Sequence, residues 1–265
     1  MSGKVWLVGA GPGDPELLTL RALRVLRAAD VVAYDELVSS EILALANRDA
    51  ELLAVGRRAD ARTRMRTVLD PAVIERAQAG KSVVRLKGGD PMIFGRAGEE
   101  LELLVAAGIP TEVVPGVTSG LAAAAAFGIP LTHRDLASSI TLATAHPRAD
   151  GALVLHNLPR TGTLVLYMGL ARIEAIAEGL VQIGWEASTP AAVVSQASLP
   201  GERAVFGTLR SIAAEVSAAA LPTPAIIIVG AVVASASAFG EIAQRAKELP
   251  EARAHLDALG SPPLA

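Results

Sequence analysis

The chain has 265 residues, of which 51% are hydrophobic and 19% charged, with a net charge of −3. That composition excludes intrinsic disorder and allows one large domain or two of ordinary size. Aromatics at 3% and the acidic balance count against a base-stacking surface or a globally positive field for nucleic acid, and with no Cys there is no disulfide, thiol nucleophile or thiolate metal site.

Short β-branched runs alternate with longer helical patterns. Strands are predicted at 5–8, 31–33, 52–55, 83–86 and 111–114, and helices at 17–28, 40–46, 72–79 and 98–107. Five strands with intervening helices make an α/β domain over 1–114. Pro115-Gly116 punctuates the series, and a second α/β domain is expected over 118–244. It holds an Ala-rich helix at 119–127 and strands near 140–143, 164–167, 191–194 and 225–229. The remaining 245–265 reads as a helix and tail. Two uncharged windows, 113–132 and 216–240, are broken by Pro, Gly and Ser and fail as membrane spans. No leader is evident in the first residues, so a cytoplasmic location is expected.

The first glycine loop, Gly9-Ala10-Gly11-Pro12-Gly13-Asp14-Pro15, follows a strand and is expected to open a helix, as a dinucleotide loop does. Asp35 sits where a ribose-binding acid would fall. The fingerprint fails at Asp14, where Gly or Ala is required, and Glu16 adds a second acid. Acids at a helix N-terminus satisfy its dipole and repel phosphate, so a neutral or cationic nucleoside such as S-adenosylmethionine suits the loop better. A plain tight turn with an acidic cap is the competing reading of this loop. The second glycine loop, Lys87-Gly88-Gly89-Asp90-Pro91, follows the strand at 83–86. Its paired Gly let a ligand approach the backbone. Arg96 then opens a helix, where a cation opposes the macrodipole, so local stability does not explain it. An Arg96–Glu99 or Arg96–Glu100 surface pair is the alternative.

At these residues the chain resembles the tetrapyrrole methylase family, in its subgroup of uroporphyrinogen-III C-methyltransferases. The resemblance runs through VGAGPGDPELLTL (8–20), ADVVAYDELVS (29–39), VVRLKGGDPMIFGR (83–96), VVPGVTSG (113–120), GIPLTHRD (128–135), LVLYMG (164–169) and PAIIIVG (224–230). It implies a two-domain α/β fold, each domain an open mixed sheet flanked by helices, with the active site in the cleft between them. The activity implied is S-adenosylmethionine-dependent methylation of uroporphyrinogen III at C2 and C7, through precorrin-1 to precorrin-2. That product feeds cobalamin and sirohaem synthesis, S-adenosylhomocysteine is released, and no metal is needed.

By the same resemblance, Pro12, Gly88, Gly89, Asp90, Ile93, Thr118, Ser119, Met168 and Ala197 would contact the cofactor; Ala197 stands where the family has Gly. Arg96, Glu99, Arg134, His146 and Met168 would line the macrocycle pocket. Asp35, Arg57, Arg96 and Glu99 are the catalytic candidates. Asp35 falls at the position of the family's proposed proton acceptor, and Arg57 where the family often has a proton-donating Lys. Arg hardly deprotonates, so Arg57 and Arg96 are read as carboxylate anchors. The cluster Arg57, Arg58, Arg62, Arg64 and Arg66 is either a propionate-binding rim or a solvated loop. Ala145 and Ala231 are further departures. A homodimer is expected, with a small-molecule substrate and neither nucleic acid nor membrane as partner. The competing readings are a methyltransferase acting on a later precorrin or on ribosomal RNA, a nicotinamide dehydrogenase, and a non-catalytic tetrapyrrole or cofactor binder.

Overall fold

The computed structural model describes residues 3–55, 68–145 and 154–236. Expectations placed on Arg57, the other arginines of that cluster, His146 and the tail lie outside the described residues. The chain divides into two compact units, Met1–Ala122 with Ala197–Gly201, and Ala123–Gln196 with Glu202–Ala265.

The first unit runs β1 (Lys4–Gly9), α1 (Leu20–Ala28), β2 (Val31–Tyr34), α2 (Ser40–Leu43), β3 (Glu51–Ala54), α3 (Pro71–Gln78), β4 (Ser82–Lys87), α4 (Ala97–Ala106), β5 (Thr111–Val114). Its sheet has the order β3-β2-β4-β1-β5, and every pairing is parallel. A mixed sheet was expected here. The sheet is parallel throughout because a helix stands between every two successive strands and carries the chain back to the same edge. One face packs Val5, Leu7, Val31 and Val83 against Val73 and Ala77 of α3 and Leu104 of α4. The other packs Val8, Val32, Val84 and Leu86 against Ala22 and Leu26 of α1 and Ile42 of α2. Covered on both faces, the inner strands β1, β2 and β4 read as near-continuous apolar runs.

Caps set where these helices begin. The Ala22 N–H donates to Thr19 Oγ1 at 3.1 Å before α1, and the Ala72 N–H to Asp70 Oδ1 at 2.9 Å before α3, where Pro71 occupies the first position. α4 is the exception. Its N-cap is Arg96 in the left-handed region, φ 58°, with no side-chain cap.

The second unit takes up the chain within α5 (Ser119–Ala126), then β6 (Ile140–Thr144), β7 (Thr163–Tyr167), α6 (Ile173–Gln182), β8 (Pro190–Ser195), β9 (Arg203–Thr208), α7 (Ile212–Ala219) and β10 (Ala225–Val229). The sheet order is β6-β7-β10-β8-β9, with β6 parallel to β7 and the other pairings antiparallel. This sheet is mixed as expected. β9 was not anticipated. It is an edge strand without a buried residue, it carries an exposed Arg203 and it includes Gly207, so it lacks the apolar run that marked its neighbours. Leu164, Leu166, Ala191, Val193 and Ile227 pack beneath Ile176 and Leu180 of α6 and Ile212 and Val216 of α7.

Surface carboxylates tie the edges of the first unit. Asp30 accepts from the Ser82 N–H and hydroxyl, both at 2.8 Å, and these bonds hold its carboxyl below the ordinary 3.8. Arg76 grips Glu51 through two bonds of 2.8 Å and holds it below 4.5. A carboxyl depressed in the folded state adds stability that is complete above its unfolded pKa and is lost as pH falls through the folded one. The melting temperature is therefore expected to fall on acidification from about pH 5 to about pH 3. Thermal melts of the Asp30→Asn, Glu51→Gln double variant should show a shallower slope over that window, and an unchanged slope would disprove the contribution.

Candidate active site

The sequence-predicted cofactor residues of the first unit gather at the carboxyl ends of its parallel strands. Pro12 follows β1, Asp35 follows β2, Gly88, Gly89, Asp90 and Ile93 follow β4, and Thr118 and Ser119 follow β5. In open parallel sheets this edge is where ligands bind, at the point where connections leave in opposite directions. Here α1 leads from β1 toward β2 on one side, while β5 flanks β1 on the other.

Backbone packing locks these loops together. Gly11 and Gly89 exchange both hydrogen bonds, Gly11 N–H to Gly89 O at 3.1 Å and Gly89 N–H to Gly11 O at 2.7 Å. A Cβ on Gly9 would lie 2.6 Å from Gly116 N and 2.7 Å from Gly89 O, so glycine is required at this crossing. Asp90 ties the ends: its Oδ1 accepts from the Met92 N–H at 2.8 Å and its Oδ2 from the Gly116 N–H at 3.0 Å. Both carboxylate oxygens therefore have protein partners, so Asp90 shapes the loop as well as standing in it.

Gly88 is the open side. A Cβ there would meet only Leu37 Cβ at 3.6 Å, and one on Gly89 would meet the Thr118 backbone at 3.7 Å and the Ser119 backbone at 3.8 Å. The result is a shallow cradle of bare backbone with no Lys or Arg in loops 9–14, 88–90 or 115–119. A polyphosphate needs cations or a helix N-terminus. The first glycine loop supplies neither: it leads into a short 3-10 turn at Pro15–Leu17, which Asp14 caps by accepting from the Glu16 N–H at 2.8 Å. α1 begins only at Leu20. The loop therefore does not open an α-helix directly, as had been expected, because Pro15 and the Asp14 cap close a separate turn first. Of the three loops only 115–119 leads directly into an α-helix, α5, and none carries a cation, so the cradle suits an uncharged or cationic nucleoside better than a polyphosphate.

Residues 197–201 also belong to the first unit. The Asp14 N–H donates to Ser198 Oγ at 3.2 Å, and Ser39 Oγ donates to the Gly13 carbonyl at 2.9 Å, so the first glycine loop is held from two sides. Ala197 is buried in this segment, between Gln196 at φ 53° and Ser198 at φ 65°. Left-handed conformations cost energy in non-glycine residues and cluster at functional sites. Among the described residues they occur at Phe94, Arg96, Met168, Gln196 and Ser198, and otherwise at Ala220, which ends α7. The strain thus falls on or beside the predicted site residues.

Arg96 holds Glu99 through both arms of its fork, Nε at 2.9 Å and Nη2 at 2.6 Å. This is the surface pair weighed as the alternative. The pair raises the Arg96 pKa and holds the Glu99 carboxyl below 4.5, so Arg96 keeps its proton and Glu99 stays ionised. In the second unit Arg134 is exposed, in the turn closed by the His133–Ala137 bridge. Met168 is 55% exposed after β7, with φ 59°. Gly169 follows it, where a Cβ would press on Ile176 and Ile227 side chains at 2.7 and 2.8 Å.

Sequence reasoning missed the charged residues behind Asp35. Arg85, Lys87 and Glu100 are buried, and Arg85 Nη2 donates to Asp35 Oδ1 at 2.5 Å. The available signal was two cations at alternate positions of an otherwise apolar central strand. Among the described residues no group of His, Cys, Asp and Glu could hold a metal, and no helix is long and apolar enough to cross a membrane.

Fold, loops and strain define a two-unit α/β protein with a glycine-lined backbone cradle at a parallel sheet edge. The model of the tetrapyrrole (corrin/porphyrin) methylases matches residues 4–213, and the chain belongs to that family. It is 48% identical over 233 residues to the uroporphyrinogen-III C-methyltransferase of Pseudomonas aeruginosa, covering 88% of this chain and 95% of that protein. It is 47% identical over 235 residues to the siroheme synthase of Gluconobacter oxydans, covering 88% of this chain, and it spans about half the length of this and similar curated siroheme synthases. Among solved structures, uroporphyrin-III C-methyltransferase from Thermus thermophilus complexed with S-adenosylhomocysteine matches with a TM-score of 0.76 and 44% identity, over 87% of this chain and 93% of that one.

Proposed function

We propose that the chain is an S-adenosylmethionine-dependent C-methyltransferase that converts uroporphyrinogen III to precorrin-2, by methylation at C2 and C7 through precorrin-1. The observation that carries this reading is the cation-free backbone cradle at Gly88–Gly89, with Asp35 at the end of the adjoining strand. The likeness to the Pseudomonas aeruginosa enzyme over nearly its whole length supports the substrate. Pro12, Gly88, Gly89, Asp90, Ile93, Thr118, Ser119, Met168 and Ala197 would hold the cofactor. When bound, S-adenosylmethionine would supply the electrophilic methyl of its sulfonium to a pyrrole carbon, with S-adenosylhomocysteine as the leaving group.

The chain's own work is placement of charge. The substrate's carboxylates need guanidinium forks without a globally basic protein. Arg134 offers one, and so does Arg96 on exchanging Glu99 for substrate. Arg57 is assigned the same anchoring role, since a guanidinium does not give up its proton. Glu99 holds Arg96 in place until the substrate carboxylate replaces it. Methylation leaves the macrocycle cationic, and Asp35 takes the proton whose loss restores neutrality. Assembly as a homodimer rests on the family resemblance alone and is checked by light scattering.

The direct test is anaerobic incubation with uroporphyrinogen III and S-adenosylmethionine, then oxidation and mass spectrometry. Two added methyl masses are expected. No added mass from a protein that still binds S-adenosylhomocysteine would sink the substrate assignment and turn attention to later precorrins or RNA. Arg134→Ala should raise the macrocycle KM by ~10–100-fold, the worth of a charged hydrogen bond, while the cofactor Kd stays within about twofold. Equal loss of both would refute the pocket role of Arg134.

A further inference from the structure

Behind Asp35 lies a group of buried charges that the reaction as described does not use. Arg85 and Lys87 alternate along β4 on the face that α4 covers, and Glu100 of α4 meets them there at 1% exposure. Lys87 Nζ donates to Glu100 Oε1 at 2.8 Å, and Arg85 Nη2 lies 3.2 Å from the same oxygen. Arg85 Nη2 also binds Asp35 Oδ1 at 2.5 Å, Arg85 Nη1 donates to the Leu86 carbonyl at 3.1 Å, and Lys87 Nζ stands 4.0 Å from Asp35 Oδ2. Glu100 Oε2 is buried without a hydrogen-bond partner.

Stability does not account for this arrangement. A central strand covered on both faces ordinarily carries apolar side chains. Each buried ion costs several kcal/mol of desolvation, and apolar replacements of whole buried pairs are often neutral or stabilising. Three of the four members are sealed from solvent, and only Asp35, its side chain 29% exposed, reaches the carboxyl edge where the cradle lies. We propose that Arg85, Lys87 and Glu100 are positioning residues for Asp35: the two cations of β4 fix its carboxylate at the strand end, and Glu100 offsets their charge from behind. This rests on the reading of Asp35 as the base. Burial and the neighbouring Arg85 lower the Lys87 pKa, and Glu100 and Asp35 oppose that shift. Among the described residues, the charged groups around Asp35 are Arg85 and Lys87 from β4, Glu100 behind them from α4, and its chain neighbour Glu36.

The test is the pH dependence of kcat and KM, with active sites counted by S-adenosylhomocysteine titration. Glu100→Gln leaves two cations facing Asp35 without an offset, so the acid limb should move down by at least ~0.5 pH unit, kcat should drop about tenfold and the macrocycle KM should stay within about twofold. Lys87→Met should move the limb the opposite way. The Lys87→Met, Glu100→Gln double variant restores neutrality and should return the limb toward wild type even where a single variant folds poorly. On an Asp35→Asn background, Glu100→Gln should cause no further loss of kcat. Limbs that stay put, shift in the same direction, or are not restored in the double variant would overturn the proposal, as would a full additional loss on the Asp35→Asn background. Failure of the underlying reading looks different, because Asp35→Asn alone would then keep its acid limb.

Discussion

Gly116→Ala is expected to destabilise the first unit by at least about 1–3 kcal/mol, the cost of overpacking a filled site, and to lower S-adenosylhomocysteine affinity by more than about tenfold. A Cβ at this position would run into the Gly89 carbonyl and lie 2.9 Å from both Gly9 C and Gly9 Cα. Flexible side chains can move aside, but these are backbone atoms of two neighbouring loops. Gly89 is itself fixed by its paired bonds to Gly11, and the Gly116 N–H is bound to Asp90. The clash can be relieved only by parting the loops after β1, β4 and β5, which together form the cradle. Gly98→Ala is the control. It lies in α4 with nothing within 4 Å of the new Cβ, so it should add about 0.5–1 kcal/mol from helix propensity and leave affinity alone. Urea unfolding and calorimetric titration measure both. Wild-type stability and affinity in Gly116→Ala would mean that the three loops are not the rigid unit described.

The first sheet was legible because its inner strands β1, β2 and β4 are covered on both faces and read as short apolar blocks, and the exposed edge strand β3 still carries the apolar run 52–55. The cap residues Thr19, Ser39 and Asp70 stand just before their helices. Strand direction is not written in such blocks. A mixed sheet was expected, and the parallel order follows from the intervening helices taken together. β9 escaped notice because its short apolar stretch, Ala204-Val205-Phe206, is bounded at once by Arg203 and Gly207. At the site, the glycine loops announced themselves, but not which glycine touches which. Gly9, Gly89 and Gly116 are far apart in sequence and meet only when β1, β4 and β5 are neighbours. The same holds for the 197–201 segment, which joins the first unit from far along the chain and whose Ser198 binds the Asp14 N–H. Arg85 and Lys87 were visible as charges in an apolar strand. Their partners Asp35 and Glu100 lie 50 and 13 residues away from the paired cation, and no local pattern links them.

Asp35→Asn should lower kcat by ~10²–10⁴-fold, the usual worth of a positioned general base, with the cofactor Kd unchanged. The amide is nearly isosteric and can still accept from Arg85, and the Asp35 N–H donates to the Leu86 carbonyl at 3.2 Å whichever side chain follows. The strand end therefore keeps its course, and the Gly88 cradle keeps its shape. What the amide cannot do is take a proton. If the carboxylate is the acceptor, the acid limb of the wild-type profile disappears in the variant, because no group there needs to be ionised first. A carboxylate that merely faced the cationic ring would also be missed, but such a field could be supplied from a neighbouring position. Asp35→Glu separates the two: it keeps the charge and displaces the oxygens by a methylene, which an electrostatic role tolerates and a proton transfer at hydrogen-bond distance does not. A rate near wild type for Asp35→Glu, or an acid limb retained in Asp35→Asn, would assign proton removal to another group and leave Asp35 with the charge alone.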